Sequence, residues 1–154
     1  MEKYLATKGK KIIGWDEILE GGLAPSATVM SWRGEDGGIA AASMNHTVIM
    51  TPGGNGMYLD AYQGDSKIEP VTIGGYTTLE KTYSYPVPDT LAAMGKGDYV
   101  LGVQGNTWSE YMYSEAIREY MTFPRIIAVA EIGWTNLDRK DYKDFERRIN
   151  NAYV

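Results

Sequence analysis

No cysteine occurs among the 154 residues. That absence excludes a disulfide scaffold and a zinc–thiolate centre, and leaves the compartment open. Histidine is almost as scarce: His46 stands alone, so a His-rich metal site is excluded, and no metal or other cofactor is expected. Every apolar run falls short of the roughly 18 residues that a membrane-spanning helix needs. Basic residues never cluster beyond Lys8-Gly9-Lys10-Lys11. With 15 Lys and Arg against 20 Asp and Glu, the net charge is −5, which argues against nucleic acid as a partner. Residues 1–11 are polar and do not read as an export signal.

Phenylalanine is rare too, at 2, whereas tyrosine reaches 12 and tryptophan 4. Tyr and Trp present a flat apolar body with a polar tip. Such side chains suit sugars, which have apolar C–H faces and hydroxyl rims.

Short apolar runs alternate with helical patterns along the chain. Residues 1–8 read as the tail of a helix stopped by Gly9. Strands are predicted at 11–15, 27–32, 46–52 and 99–104. Between them lie a short helix from Asp16 closed by Gly21-Gly22, a small-residue helix in 35–44, and a long loop with a helix around 78–83. Helices are expected at 114–122 and 124–133, with Pro124 in the first turn of the latter. A last amphipathic helix turns Tyr142, Phe145 and Ile149 inward. The strands show little period-2 alternation, which predicts a parallel sheet buried on both faces and an α/β fold, doubly wound or barrel. Four strand–helix units make half of a (β/α)₈ barrel, which when complete usually needs about 250 residues. Neither GxGxxG nor GxxxxGK[ST] occurs, so a nucleotide-binding sheet has no motif behind it.

An aromatic stands at or just past the end of each predicted strand: Trp15, Trp32, Tyr58 and Trp108. In a barrel those ends converge on the active-site face. A single Trp after a strand is more often core packing than a ligand platform, but the repetition points to a sugar pocket, with Asp60 and Glu110 as hydroxyl acceptors. Trp134 follows a helix and carries no such signal. The adjacent Asp16 and Glu17 could be a catalytic dyad or the acidic start of a helix; caps and the helix dipole favour the structural reading. Arg33 is expected to be an ion-pair partner at the rim, and His46 a solvated turn residue.

The strings GKKIIGWDEILEGGLAPSATVMSWRG, HTVIMTP, MYLDAYQG, LGVQGNTWSEY and FPRIIAVAEIGW together resemble the C-terminal half of the catalytic barrel of glycoside hydrolase family 20, the β-N-acetylhexosaminidases, bacterial members above all. The resemblance runs over nearly the whole chain. It implies one partial domain, residues 1–154, holding barrel strands 5–8. It implies that Trp15, Trp32 and Trp108 form the aromatic wall of the subsite. Tyr58 resembles the catalytic tyrosine that orients the substrate acetamide. Asp60 and Glu110 resemble the carboxylates that bind the sugar hydroxyls.

The family's catalysis is substrate-assisted and retaining, departing from the usual two-carboxylate scheme. An Asp-Glu pair in an HxGGDE-type motif serves it, and no such string occurs here. Trp15, not Asp16 or Glu17, is the functional part of GWDE. The family's sugar-binding arginine is missing as well. The expectation is therefore a hexosaminidase portion that binds glycans ending in N-acetylglucosamine or N-acetylgalactosamine and is inactive alone. It would be completed by self-association or by the N-terminal half of the barrel. The alternatives are a non-catalytic carbohydrate-binding module and a structural remnant. A periplasmic or extracellular site would suit the full-length family, with any export signal upstream.

Overall fold

The computed structural model describes residues 1–86 and 89–152. Helices are α1 (Glu2–Thr7), α2 (Asp36–Ser43), α3 (Leu79–Tyr83), α4 (Asp89–Ala93), α5 (Glu115–Thr122), α6 (Arg125–Trp134) and α7 (Tyr142–Ala152). Strands are β1 (Ile13–Trp15), β2 (Thr28–Ser31), β3 (Val48–Met50) and β4 (Val100–Val103). All four predicted strands are present, trimmed at their ends. They form one sheet in the order β1-β2-β3-β4, and every neighbouring pair is parallel. The chain falls into two compact units, residues 1–54 with 87–104 and residues 55–86 with 105–154.

The first unit holds the sheet. Val29 and Ser31 of β2 lie in register with Val48 and Met50 of β3, and all four are buried on one face. Helix α2 covers that face. A Cβ on Gly38 would come within 2.6 Å of Met50 Sδ and 3.3 Å of Ser31 Cβ, so the helix approaches this closely only with glycine there. Ser31 Oγ accepts the Gly38 N–H at 2.9 Å and donates to the Gly34 carbonyl at 2.7 Å, closing the turn before the helix. The small-residue composition of α2 is thus a packing requirement.

Burial on both faces, expected from the unbroken apolar runs, does not hold. Met30 and Ile49, paired on the opposite face, are only half-buried. The edge strands are more open, with Ile13 54 % and Leu101 60 % exposed. An outer strand has one neighbour instead of two, which leaves side chain and backbone to solvent. His46 is not a solvated turn residue: its Nδ1 lies 3.0 Å from the Ala27 carbonyl, tying the entry of β3 to that of β2.

The second unit is helical. Tyr83 of α3 stacks on Phe145 of α7 at 4.6 Å between ring centroids, with Ala128 and Ile149 sealing the cluster and Tyr142 packed against it. The inward face expected for α7 is the observed one. Thr78 and Ser114 cap α3 and α5, accepting the N–H groups of Lys81 and Ile117. Pro124 sits one residue before α6 rather than within its first turn.

At the start of α6, Arg125 is fully buried. Its guanidinium donates to the carbonyls of Leu59 at 2.6 Å, Ala61 at 3.0 Å and Thr77 at 2.9 Å, and to that of Met121 at the end of α5. Burial pulls its pKa down to about 10, and the charges of Glu69, Tyr120 and Asp60 oppose the shift. It therefore remains cationic at neutral pH, binding four carbonyls that come from three separate segments.

Two outcomes follow for denaturant unfolding of this chain. Phe145→Ala, which empties the ring stack, lowers stability by about 3–5 kcal/mol. Arg125→Met, similar in length but without donors, leaves buried carbonyls unpaired at about 1–3 kcal/mol each. An unchanged midpoint in Arg125→Met would show that the guanidinium is not what joins these segments.

Candidate functional site

In the first unit, the C-terminal ends of β1 and β2 carry the two tryptophans expected there. Trp15 ends β1 in register with Met30, and Trp32 follows directly on β2. Both are partly exposed. The 3₁₀ turn Asp16–Gly21 begins after Trp15 and brings its two acids against the segment that follows β2.

Asp16 is 2 % exposed. Its Oδ2 accepts the backbone N–H groups of Trp32 at 3.1 Å and Arg33 at 3.3 Å, and its Oδ1 pairs with Arg33 Nε at 2.6 Å. Glu17 accepts the Trp32 indole N–H with both oxygens, at 3.0 and 3.1 Å. That bond, followed by a backbone hydrogen bond and, least, the nearby Arg33 charge, holds the Glu17 carboxyl below its usual range. The acids thus clamp the Trp32-Arg33 turn: Asp16 fixes its backbone and Glu17 the plane of the indole. The structural reading of the pair holds, but the cause is this cross-strand clamp and not the helix dipole. Arg33 is the ion-pair partner expected of it, reaching Glu20 at 3.3 Å as well.

In the second unit, Tyr58 and Trp108 meet edge to face, with ring centroids 6.2 Å apart and planes at 71°. Their backbones are registered by a parallel bridge between Tyr58 and Asn106. Leu59 N–H donates to the Asn106 carbonyl at 2.7 Å, and Asn106 N–H to the Met57 carbonyl at 2.8 Å. Gly105 allows this approach, because a Cβ there would crowd Leu59 and Val129 at 3.1–3.2 Å. Trp108 is 39 % exposed.

Asp60 lies two residues beyond Tyr58, between Leu59 and Ala61, whose carbonyls Arg125 holds. It is 6 % exposed, and its Oδ1 accepts no hydrogen bond from the described residues. Burial pushes its pKa above the usual value; the Glu110 charge adds to the rise, and the Arg125 charge opposes it. Glu110 itself is exposed. A buried carboxylate oxygen without a donor is an acceptor waiting for one, and a ligand hydroxyl suits it.

Tyr58, Asp60, Trp108 and Glu110 therefore fall within one unit, while Trp15 and Trp32 sit together in the other. Sequence reasoning missed two supporting residues. Arg125 is invisible as a carbonyl clamp because its partners lie 4 to 66 positions away. The available signal was a lone charge opening the apolar run Ile126-Ile127-Ala128-Val129, since an arginine there must be buried and satisfied. Glu17 was read as the acidic start of a helix, when its partner is the Trp32 indole N–H. Among the described residues no group of His, Asp or Glu is arranged to hold a metal ion.

Residues 1–137 match the glycosyl hydrolase family 20 catalytic domain. The chain is 63 % identical over 154 residues to a β-hexosaminidase of Porphyromonas gingivalis, covering 99 % of this chain and 20 % of that one. It is 32 % identical over 144 residues to a β-N-acetylhexosaminidase of Cellulomonas fimi, covering 92 % and 29 %. Among solved structures, an exo-β-N-acetylglucosaminidase of this family from Vibrio harveyi, in complex with N-acetylglucosamine, superposes with a TM-score of 0.81 at 28 % identity. The match covers 97 % of this chain and 24 % of that one. The chain thus spans between a fifth and a third of the length of these relatives. Its four parallel strands and helices form part of a (β/α)₈ barrel. Matched along most of its length by the model of that catalytic domain and by the backbone of a solved member, the chain belongs to glycosyl hydrolase family 20.

Proposed function

We propose that the chain supplies sugar-binding surface to a β-N-acetylhexosaminidase that removes terminal N-acetyl-hexosamine residues, and that it has no hydrolytic activity by itself. The observation that carries this reading is the pairing of Tyr58 with Trp108 beside Asp60, whose buried carboxylate oxygen has no donor. An indole face packs on the C–H surface of a sugar, a phenol donates to an acetamide carbonyl, and a carboxylate accepts from ring hydroxyls. Relatives named β-hexosaminidase and a structural neighbour in complex with N-acetylglucosamine make that sugar the first ligand to test.

In the substrate-assisted reaction the acetamide oxygen attacks the anomeric carbon while the glycosidic oxygen takes a proton and leaves. Tyr58 would donate to the acetamide carbonyl and aim it at that carbon, and Trp108 would wall the ring beside it; Trp15 and Trp32 are separate aromatic candidates in the first unit. Asp60 and Glu110 would accept from the outer hydroxyls. The proton must come from a general acid, and no residue reads as one here: Asp16 and Glu17 are engaged by Trp32 and Arg33. A positioned acid contributes about 10²–10⁴-fold. Its place falls to a segment outside this chain, an N-terminal barrel half.

Non-catalytic sugar binding is the second reading, favoured by the partial exposure of Trp108 together with the engagement of Asp16 and Glu17. The assay that separates the readings is turnover of an aryl N-acetyl-β-glucosaminide, first by this chain alone and then with a segment carrying the acid. No turnover is expected from the chain alone, and activity lost in Trp108→Ala is expected once the acid is supplied. Turnover by the chain alone would refute the assignment of Asp16 and Glu17. Tyr58→Phe should weaken N-acetylglucosamine binding by up to about tenfold, the value of one hydrogen bond.

Acidification provides a further check. The Asp60 pKa is raised above 3.8 in the fold, so its carboxylate is protonated as pH falls through that raised value. Sugar affinity should fall in the same window, above pH 3.8. Stability should move the other way, because a carboxyl with a raised folded pKa favours the fold once it is protonated. Asp60→Asn removes both dependences. Titration of binding by tryptophan fluorescence, in parallel with unfolding, measures them. An affinity flat down to pH 3.8 would remove Asp60 from the sugar contacts.

A further inference from the structure

Trp134, which ends α6, is 91 % exposed. An indole left almost wholly in water buries none of its large apolar surface and stabilises nothing by packing. It borders a cleft of about 390 Å³ shared with Asn136, Arg139 and the outer face of α7. The cleft is otherwise polar and its charges balance. Arg148 reaches Glu131 at 3.3 Å through Nη1 and Asp144 at 2.9 Å through Nε, and Arg147 holds the other oxygen of Asp144 at 2.6 Å. These pairs fix two carboxylates as acceptors at the cleft wall. In the same lining Arg139 makes no ion pair among the described residues, and Asn136 offers both a donor and an acceptor.

We propose that this cleft is a second carbohydrate-binding site, separate from the one carrying Tyr58 and Trp108, and that its ligand is a neutral oligosaccharide. The indole face receives the C–H face of one sugar ring. Arg139 and Asn136 donate to ring hydroxyls, and the clamped carboxylates accept from them. An anionic ligand would meet Glu131 and Asp144, and a cationic one Arg139 and Arg148. A ligand with donors and acceptors but no net charge suits a lining that carries both signs of charge. The rigid pairing of Arg148 orders the acceptors before the ligand arrives, which lowers the cost of binding. Such a site would hold a polymeric glycan on the protein while its terminal sugar is processed elsewhere.

The test uses this chain labelled with ¹⁵N and follows the tryptophan indole N–H signals during titration with tetramers of N-acetylglucosamine, glucose in β-1,4 linkage and glucose in α-1,4 linkage. The signal absent from Trp134→Ala identifies the residue. Because its side chain is exposed, that variant keeps the native circular dichroism. The expected result is a saturable shift of the Trp134 signal with at least one tetramer, at concentrations up to the order of 10 mM. The shift is retained in Trp108→Ala and weakened about tenfold or more in Arg139→Ala. An unmoved Trp134 signal with all three tetramers overturns the proposal, as does a shift that Arg139→Ala leaves unaltered. A response of Trp108 without one of Trp134 overturns this site and leaves the proposed function standing; the reverse does the opposite.

Discussion

One buried cation organises the segments on which the second unit depends. Arg125 is removed from water and has no contact ion pair among the described residues; its charge is spread over four backbone carbonyls. Each carbonyl belongs to a segment that would otherwise have to solvate itself: the loop carrying Tyr58 and Asp60, the approach to α3, and the end of α5. A buried cation without partners is prohibitively costly, and so is a buried carbonyl without a donor. Each cost is relieved only when the segments and the guanidinium meet, so the loop takes its shape when α6 docks. That constraint also accounts for Asp60. Held between two clamped carbonyls, its carboxyl stays buried with one oxygen unbonded, near enough to Arg125 for the cation to limit the rise in its pKa.

The first unit uses charge in the same way. Asp16 and Glu17 look like chemistry on the page of the sequence, yet their oxygens are taken up by the Trp32-Arg33 turn. Asp16 meets backbone N–H groups and a guanidinium, a set that satisfies a buried carboxylate. Glu17 sets an indole plane. In both units charged side chains serve to fix aromatic-bearing loops.

The half-exposed face of the sheet has the same origin as its open edges. In a complete barrel the strands close on themselves and the inward side chains fill the interior in layers. Here four strands of that barrel stand in a row. Met30 and Ile49 are therefore only half covered, and Ile13 and Leu101 at the outer strands face solvent. The apolar runs of the sequence carry the burial pattern of a closed barrel, and the open sheet satisfies only the side that α2 covers.

Local physics wrote much of this fold into the sequence. Short β-rich runs between glycine-bounded helices gave four parallel strands in chain order. Thr78 and Ser114 marked helix starts, and the period of Tyr142, Phe145 and Ile149 marked the buried face of α7. The aromatics at the strand ends were legible as well, because strand ends and side-chain identity are both local. Other features were settled only in three dimensions. The clamp of Arg125 joins positions up to 66 residues apart, the Asp16–Arg33 pair spans 17, and the contact of Tyr58 with Trp108 spans two helices and a strand. No periodicity records such pairings, since each depends on where backbone polar groups are left unpaired once the elements have packed. The sequence by itself determined which residues were available for a site; tertiary structure decided which carboxylates are engaged and which buried one, among the described residues, keeps an oxygen without a donor.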